Sequence, residues 1–162
     1  MSMAEPAHYP ARHVILSQIM LPSDANAHGN VHGGTLMKLA DTAGAIAAVR
    51  HARSRVVTAV MDSMTFEYPV SVGQLVLLDA TVTWVGRTSI ETEVVIEAED
   101  VVSGDRHRVS TSFFVFVALD EQGQPREVPR LDLHTDRDRL HFQQAEERRA
   151  FRLAQRSAHR ES

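Results

Sequence analysis

Residues 35–52, TLMKLADTAGAIAAVRHA, carry apolar positions at helical rather than alternating spacing. Leu36, Met37, Leu39, Ala40, Ala43, Gly44, Ala45, Ile46, Ala47, Ala48 and Val49 leave almost no polar face. A helix apolar all round is surrounded by protein. This one opens directly out of the polar loop Asn26-Ala27-His28-Gly29-Asn30-Val31-His32-Gly33-Gly34. Gly44 in its interior costs helix propensity, which predicts close approach by another backbone.

The remaining pattern is strand-like. A first strand is predicted at 13–21 (HVILSQIML), ended by Pro22. Four more segments follow the helix, at 55–67, 75–86, 89–100 and 107–119, punctuated by Pro69 to Gly73, Gly86-Arg87 and Ser103-Gly104-Asp105. At 90–98, Ile90, Thr92, Val94, Ile96 and Ala98 form one face and Glu91, Glu93 and Glu97 the other. At 75–85 the apolar face is Val76, Leu78, Ala80, Val82 and Trp84. Phe113, Val115 and Val117 oppose Phe114 and Phe116, so the last strand reads as covered on both faces. Short turns between consecutive strands predict an antiparallel meander. One long helix followed by such a sheet is an α+β arrangement, the sheet wrapped around the helix. Residues 10–131 are read as this domain and 132–162 as a charged C-terminal tail. The tail is expected to form a surface helix from about 137, with Leu140, Ala145, Phe151 and Ala154 facing inward.

Composition narrows the function classes. The 162 residues are 43% hydrophobic and 23% charged, with net charge −4, so a broad nucleic-acid footprint is not expected. The absence of cysteine excludes disulfides, thiolate nucleophiles and Cys-ligated zinc. No secretory run is visible among the first residues, and the longest apolar runs, 43–49 and 113–119, are too short to insert in a membrane. A cytoplasmic protein is expected.

Asp41 is the candidate chemistry. Carboxylates are almost never buried without a partner, so one within an apolar helix is a candidate catalytic base. The bland alternative is a pairing with Lys38, Arg50 or His51, or with the helix dipole. At the helix start, unpaired amides beside Gly33 and Gly34 attract oxyanions or polarised carbonyls, and the glycines let a ligand approach. At about 1.5 Å per residue, Asp41 lies roughly 12 Å along the axis from Gly33. One carbonyl cannot meet both in the same chain. Either the two serve different purposes or the site is shared between chains, since a twofold dimer with antiparallel helices would allow the start of one helix to lie beside Asp41 of the other. Asn26 offers a donor to a carbonyl oxygen or a hold for a water, although a loop asparagine in isolation usually stabilises its own turn, and Asn30 offers the same groups. His28 and His32 lack carboxylate co-ligands in a suitable pattern, so no metal site is expected, and His32 is read as orienting the loop. Arg87-Thr88-Ser89 suits a phosphate, although a solvated turn is the simpler reading of the residues alone. Arg148, Arg149, Arg152 and Arg156 read as a solvated face. No serine has a nucleophile-elbow context, and no P-loop or dinucleotide glycine pattern occurs.

The runs NAHGNVHGGTLMKLADTAGAIAA, VVTAVMDSMTFEYPV, VGRTSIETEV and ALDEQGQPREVP resemble the hotdog-fold acyl-CoA thioesterases. The likeness is to the cytosolic acyl-CoA hydrolase branch with its bacterial single-domain members, over about 13–131. It implies a helix wrapped by an antiparallel sheet, with active sites at a dimer interface. Asn26 and the Gly33 amide would then polarise the thioester carbonyl, and Asp41 of the second chain would activate water or attack directly. His32 and Gly34 would support the loop. Arg87, Thr88 and Ser89 would lie near the nucleotide of CoA. A Ser or Thr that helps position water is common on the strand after the helix. Here the register puts Ala59 at that point, with Thr58 adjacent and facing the other way. The resemblance implies hydrolysis of acyl-CoA without metal or covalent cofactor, by a homodimer that commonly assembles as a trimer of dimers. Acyl preference would depend on how Met61, Met64 and Phe66 pack against the opposing helix. A hotdog dehydratase and a non-catalytic acyl-CoA sensor are the competing readings.

Overall fold

The computed structural model describes residues 12–160; the first eleven residues, noted above for lacking a secretory run, and the last two lie outside it. The elements are β1 (His13–Ile19), a 3-10 turn (Pro22–Asp24), α1 (Gly33–Ala52), β2 (Arg55–Met61), β3 (Leu75–Val85), β4 (Ser89–Glu99), β5 (Arg106–Leu119) and α2 (Asp136–Arg160). All strands pair antiparallel in the order β1-β3-β4-β5-β2. The predicted meander therefore holds for β3, β4 and β5. β2 instead joins the far edge beside β5, since the connection from Asp62 to Gln74 is far longer than a hairpin loop and crosses the sheet.

The sheet wraps α1, which touches all five strands. Val76, Leu78, Val82, Ile90, Val94, Ile96, Phe114 and Phe116 close over Leu36, Ala40, Ala43, Ala47 and Ala48. The small residues of the helix let it lie low on the sheet. Gly44 is the tightest point: a Cβ there would sit 2.7 Å from Thr92 Oγ1 and 3.3 Å from the Phe116 ring. The close approach expected at Gly44 is thus made by side chains of the sheet's inner face, not by backbone.

Only one face of α1 is covered by the described residues of its own chain. Val49 is 40% exposed, and Asp41, Ala45 and Ile46 are half-buried. Beside them β2 is an open edge with Val57 and Met61 exposed. The helix read as surrounded by protein is so in half its circumference, which leaves an apolar face beside an unpaired strand edge.

Two β-bulges change the faces that strict alternation assigns. In β3 the ladder slips between Val82 and Trp84, so Trp84 pairs with Glu91 and leaves the inner face. Its ring meets Phe142 of α2 at 6.4 Å, with the Arg149 guanidinium 5.4 Å away. In β2 the slip lies between Thr58 and Val60. Thr58 pairs with the inward-facing Phe116 and so points to α1.

α2 packs on the outer face of the sheet with a largely polar stripe. His141, Phe142, Ala145, Arg148 and Arg152 face inward, whereas Leu140, Phe151 and Ala154, expected inside, are exposed. Glu91 explains this. It is fully buried on the outer face of β4, accepting from Thr83 Oγ1 at 3.0 Å, Arg148 Nη2 at 2.7 Å and Arg152 Nη2 at 3.1 Å. Arg148 also lies 3.7 Å over the Phe113 ring. A buried carboxylate requires cations, and they come from the arginines read above as solvated. At the other end of α2, the Arg12 guanidinium and the Thr135 backbone amide hold the Asp138 carboxyl well below the ordinary value. That part of the docking is present above the usual carboxylate pKa and is lost only in strong acid.

Two variants test this packing. Gly44→Ala forces Thr92 and Phe116 apart and should lose about 1–3 kcal/mol, read as a lower midpoint in chemical denaturation. Glu91→Ala strands two arginines and should cost about 3 kcal/mol by the same measurement; an unchanged midpoint would show that the network does not hold α2.

Candidate active site

The loop before α1 is closed by its own backbone. Asn26 N–H donates to Asn30 O at 2.7 Å, His32 N–H to Asp24 O at 2.7 Å, and Val31 N–H to Val70 O at 2.7 Å. Asn30 serves here through its carbonyl. The Asn26 side chain accepts the His28 amide through Oδ1 at 2.9 Å. That bond fixes which end of the amide is oxygen, and leaves the Nδ2 donors without a partner among the described residues.

His32 caps α1. Its Nδ1 accepts the Gly34 amide at 3.0 Å, and its carbonyl accepts the Thr35 and Leu36 amides at 2.9 and 3.4 Å. Gly34 is confined by this cap, since a Cβ there would lie 3.1 Å from His32 Nδ1. The Gly33 N–H is left without a partner among the described residues. One free backbone donor and one free amide side chain thus flank the positive end of the helix.

Asp41 lies two turns on, about 12 Å from Gly33 at about 1.5 Å per residue. Its Oδ1 accepts from Thr58 Oγ1 at 2.7 Å. The cations offered as alternative partners are elsewhere: Arg50 donates to His13 O, His51 is buried against Pro129 O, and Lys38 makes no ion pair among the described residues. Among the described residues the Asp41 side chain is therefore held by one hydroxyl, on the open face of α1. The period-two register turned Thr58 away from the helix; the bulge at Ala59 restores it, a displacement that no residue type in the sequence signals.

Arg87, Thr88 and Ser89 stand at the β3–β4 turn. The row Ile90–Phe116–Thr58 runs across β4, β5 and β2, so the turn lies about 10 Å from Thr58 at about 4.8 Å per strand. Arg87 is exposed and only 3.6 Å from an equally exposed Glu127, a weak pairing. The Thr88 carbonyl accepts the Ala118 amide. Within one protomer the structure brings Asp41 together with Thr58, and leaves both apart from Gly33 at the helix start and from Asn26 on the loop before it. Among the described residues no three His, Asp or Glu side chains are grouped to hold a metal ion.

The Thioesterase superfamily model matches residues 28–104. The cytosolic acyl coenzyme A thioester hydrolase of Mus musculus is 34% identical over 148 residues, 90% of this chain but 39% of the mouse protein. The chain thus spans about two-fifths of that relative. The Bacillus subtilis protein named acyl-CoA thioester hydrolase YkhA is 40% identical over 125 residues, 77% of this chain and 73% of that one. Among solved structures, an apo-hexameric acyl-CoA thioesterase superposes with TM-score 0.86 at 34% identity, covering 91% of this chain and 96% of that one. The acyl-CoA hydrolase of Staphylococcus aureus, solved with butyryl coenzyme A and coenzyme A, gives 0.84 at 33% identity, over 92% and 91% of the two chains. Variants of that enzyme carrying alanine for one aspartate, one asparagine and one threonine have also been solved. A helix wrapped by a five-stranded antiparallel sheet, with donors at the helix start and a carboxylate on its open face, defines a hotdog domain. The chain belongs to the acyl-CoA thioester hydrolases of the thioesterase superfamily.

The cap can be tested apart from activity. His32→Ala should destabilise by about 1 kcal/mol and His32→Asn by less, because asparagine also caps. Urea midpoints compare them, and equal losses would deny the ring its capping role.

Proposed function

We propose that the chain hydrolyses acyl-CoA thioesters to a carboxylic acid and CoA, at sites shared by two copies. The observation that carries this is Asp41, held by Thr58 and without a cation among the described residues, on an open apolar helix face about 12 Å from the Gly33 donor. In a twofold dimer, β2 edges and α1 faces cover each other, and the Gly33 end of one helix meets the partner's Asp41. The thioester oxygen then accepts from the Gly33 N–H and Asn26 Nδ2, which stabilise the charge that develops there. Thr58 occupies Asp41 Oδ1, leaving Oδ2 to take a proton from water as that water attacks the carbonyl carbon. The tetrahedral intermediate expels CoA as thiolate.

The Staphylococcus aureus variants support these assignments. The intervals between their replaced asparagine, aspartate and threonine are 15 and 17 residues, equal to those from Asn26 to Asp41 and from Asp41 to Thr58. A hotdog dehydratase is the weaker reading, because an amide side chain and a backbone amide paired with a carboxylate suit hydrolysis better than the His–acid pair such sites use. Arg87 and the Thr88 and Ser89 hydroxyls are proposed to meet the CoA phosphates, with Arg87 exchanging exposed Glu127 for a phosphate. A trimer of dimers is proposed because hexamers occur among the superposed thioesterases. The reaction is proposed to need no metal or covalent cofactor. A cytoplasmic setting is proposed, supported by the name of the mouse relative. No helix among the described residues is long and apolar enough to cross a membrane.

Thiol release from butyryl-CoA tests the proposal. Asp41→Asn and Asn26→Ala should each lose at least about a hundredfold in kcat. Co-expressed, the two inactive variants should recover about a quarter of wild-type activity, because half the dimers are mixed and each mixed dimer has one intact site. Near-normal turnover by either variant alone refutes the residue roles, and an inactive mixture refutes the shared site.

A further inference from the structure

We infer that Phe66 is the wall of the thioester pocket beside the Gly33 donor and sets tolerance for bulk on the acyl α-carbon. This rests on the hydrolase reading above. The ring belongs to a strap, residues 62–69, that leaves β2 and runs along β5. The strap is fixed at both ends: Asp62 N–H donates to Phe113 O at 2.9 Å and Glu67 N–H to Val109 O at 2.9 Å. Arg152 Nη1 also holds Asp62 Oδ2 at 2.8 Å, while its Nη2 reaches the buried Glu91. The strap is thus tied through α2 to the outer face of the sheet. Between these anchors Met64 packs on the core, and Phe66 does not.

Phe66 instead lies on the helix start. Its Cε2 and Cζ are 3.4 and 3.7 Å from the point a Cβ would occupy at Gly33. The ring is nevertheless 39% exposed. The ring thus packs beside Gly33, the residue that supplies the free amide, while part of its surface stays open. A carbonyl oxygen on the Gly33 N–H therefore brings its own carbon, and the atoms flanking it, up to this ring. The contact atoms are the electropositive rim of the aromatic, which suits a developing oxyanion. The apolar body keeps water from one side of the amide and strengthens its hydrogen bond.

This separates Phe66 from the methionines of the same segment. Met64 is directed to the core and Met61 sits on the open edge strand, so neither shares the place beside Gly33. Phe66 meets the substrate at its carbonyl end, where branching rather than chain length is felt. A pocket wall of this kind discriminates one methyl group by about 10- to 200-fold.

The test is kcat/KM for butyryl-CoA and isobutyryl-CoA with wild type, Phe66→Ala, Phe66→Leu and Phe66→Tyr. Phe66→Ala should lose about tenfold on butyryl-CoA and raise the isobutyryl-to-butyryl ratio at least about fivefold. Phe66→Leu should move the ratio the same way by less, and Phe66→Tyr, which keeps the ring and adds a hydroxyl at Cζ beside Gly33, should not raise it. Should Phe66→Ala fail to fold, Phe66→Leu decides. An unchanged ratio in the folded variants that lack the ring overturns the inference. Wild-type thiol release separates the two failures: if the wild type does not hydrolyse butyryl-CoA the hydrolase reading itself fails, whereas an active wild type with an unchanged Phe66 ratio removes this inference alone.

Discussion

The rise of an α-helix governs this molecule. From Gly33 to Asp41 the chain is regular α-helix, so the free donor and the carboxylate stay about 12 Å apart at about 1.5 Å per residue. No side-chain rotation closes that gap for one carbonyl. The same helix leaves an apolar face uncovered, bordered by the unpaired edge of β2. Covering that face with a second copy is what the hydrophobic effect favours, and it is also what the proposed chemistry needs. On the proposed function, assembly and catalysis answer to one geometric constant.

The two faces of the sheet are built on different principles. The inner face is apolar and close-packed, and the small residues of α1 set how low the helix lies. The outer face carries Glu91, so α2 must bring arginines rather than leucines. Such a network adds little net stability over an apolar contact, but it fixes the register of α2 on the sheet, because another register leaves Glu91 unpaired. Arg152 extends this control to Asp62 and the strap. The charged tail is thus connected by two side chains to the segment that lies on the helix start.

What was legible in the sequence was local. Asn26, His32, Gly33 and Asp41 lie on one loop and one helix, where sequence separation converts directly into distance. The faces of β4 were legible because its ladder is regular between Ser89 and Ile96. Trp84 and Thr58 were misread for a shared reason: one extra residue in a strand inverts the parity of everything beyond it, and a bulge depends on the partner strand rather than on the bulged residue.

By itself the sequence determined the long apolar helix, the strands that follow it and the residues at the helix start, since each is encoded by the spacing of neighbours along the chain. Tertiary structure decided where β2 sits, which way Thr58 and Trp84 point, which side of α2 is inside, and that Phe66 rests on Gly33. These depend on what the opposing element presents. α2 obeys Glu91, more than forty residues away, and amphipathic patterning of the helix alone holds no record of a carboxylate on another strand.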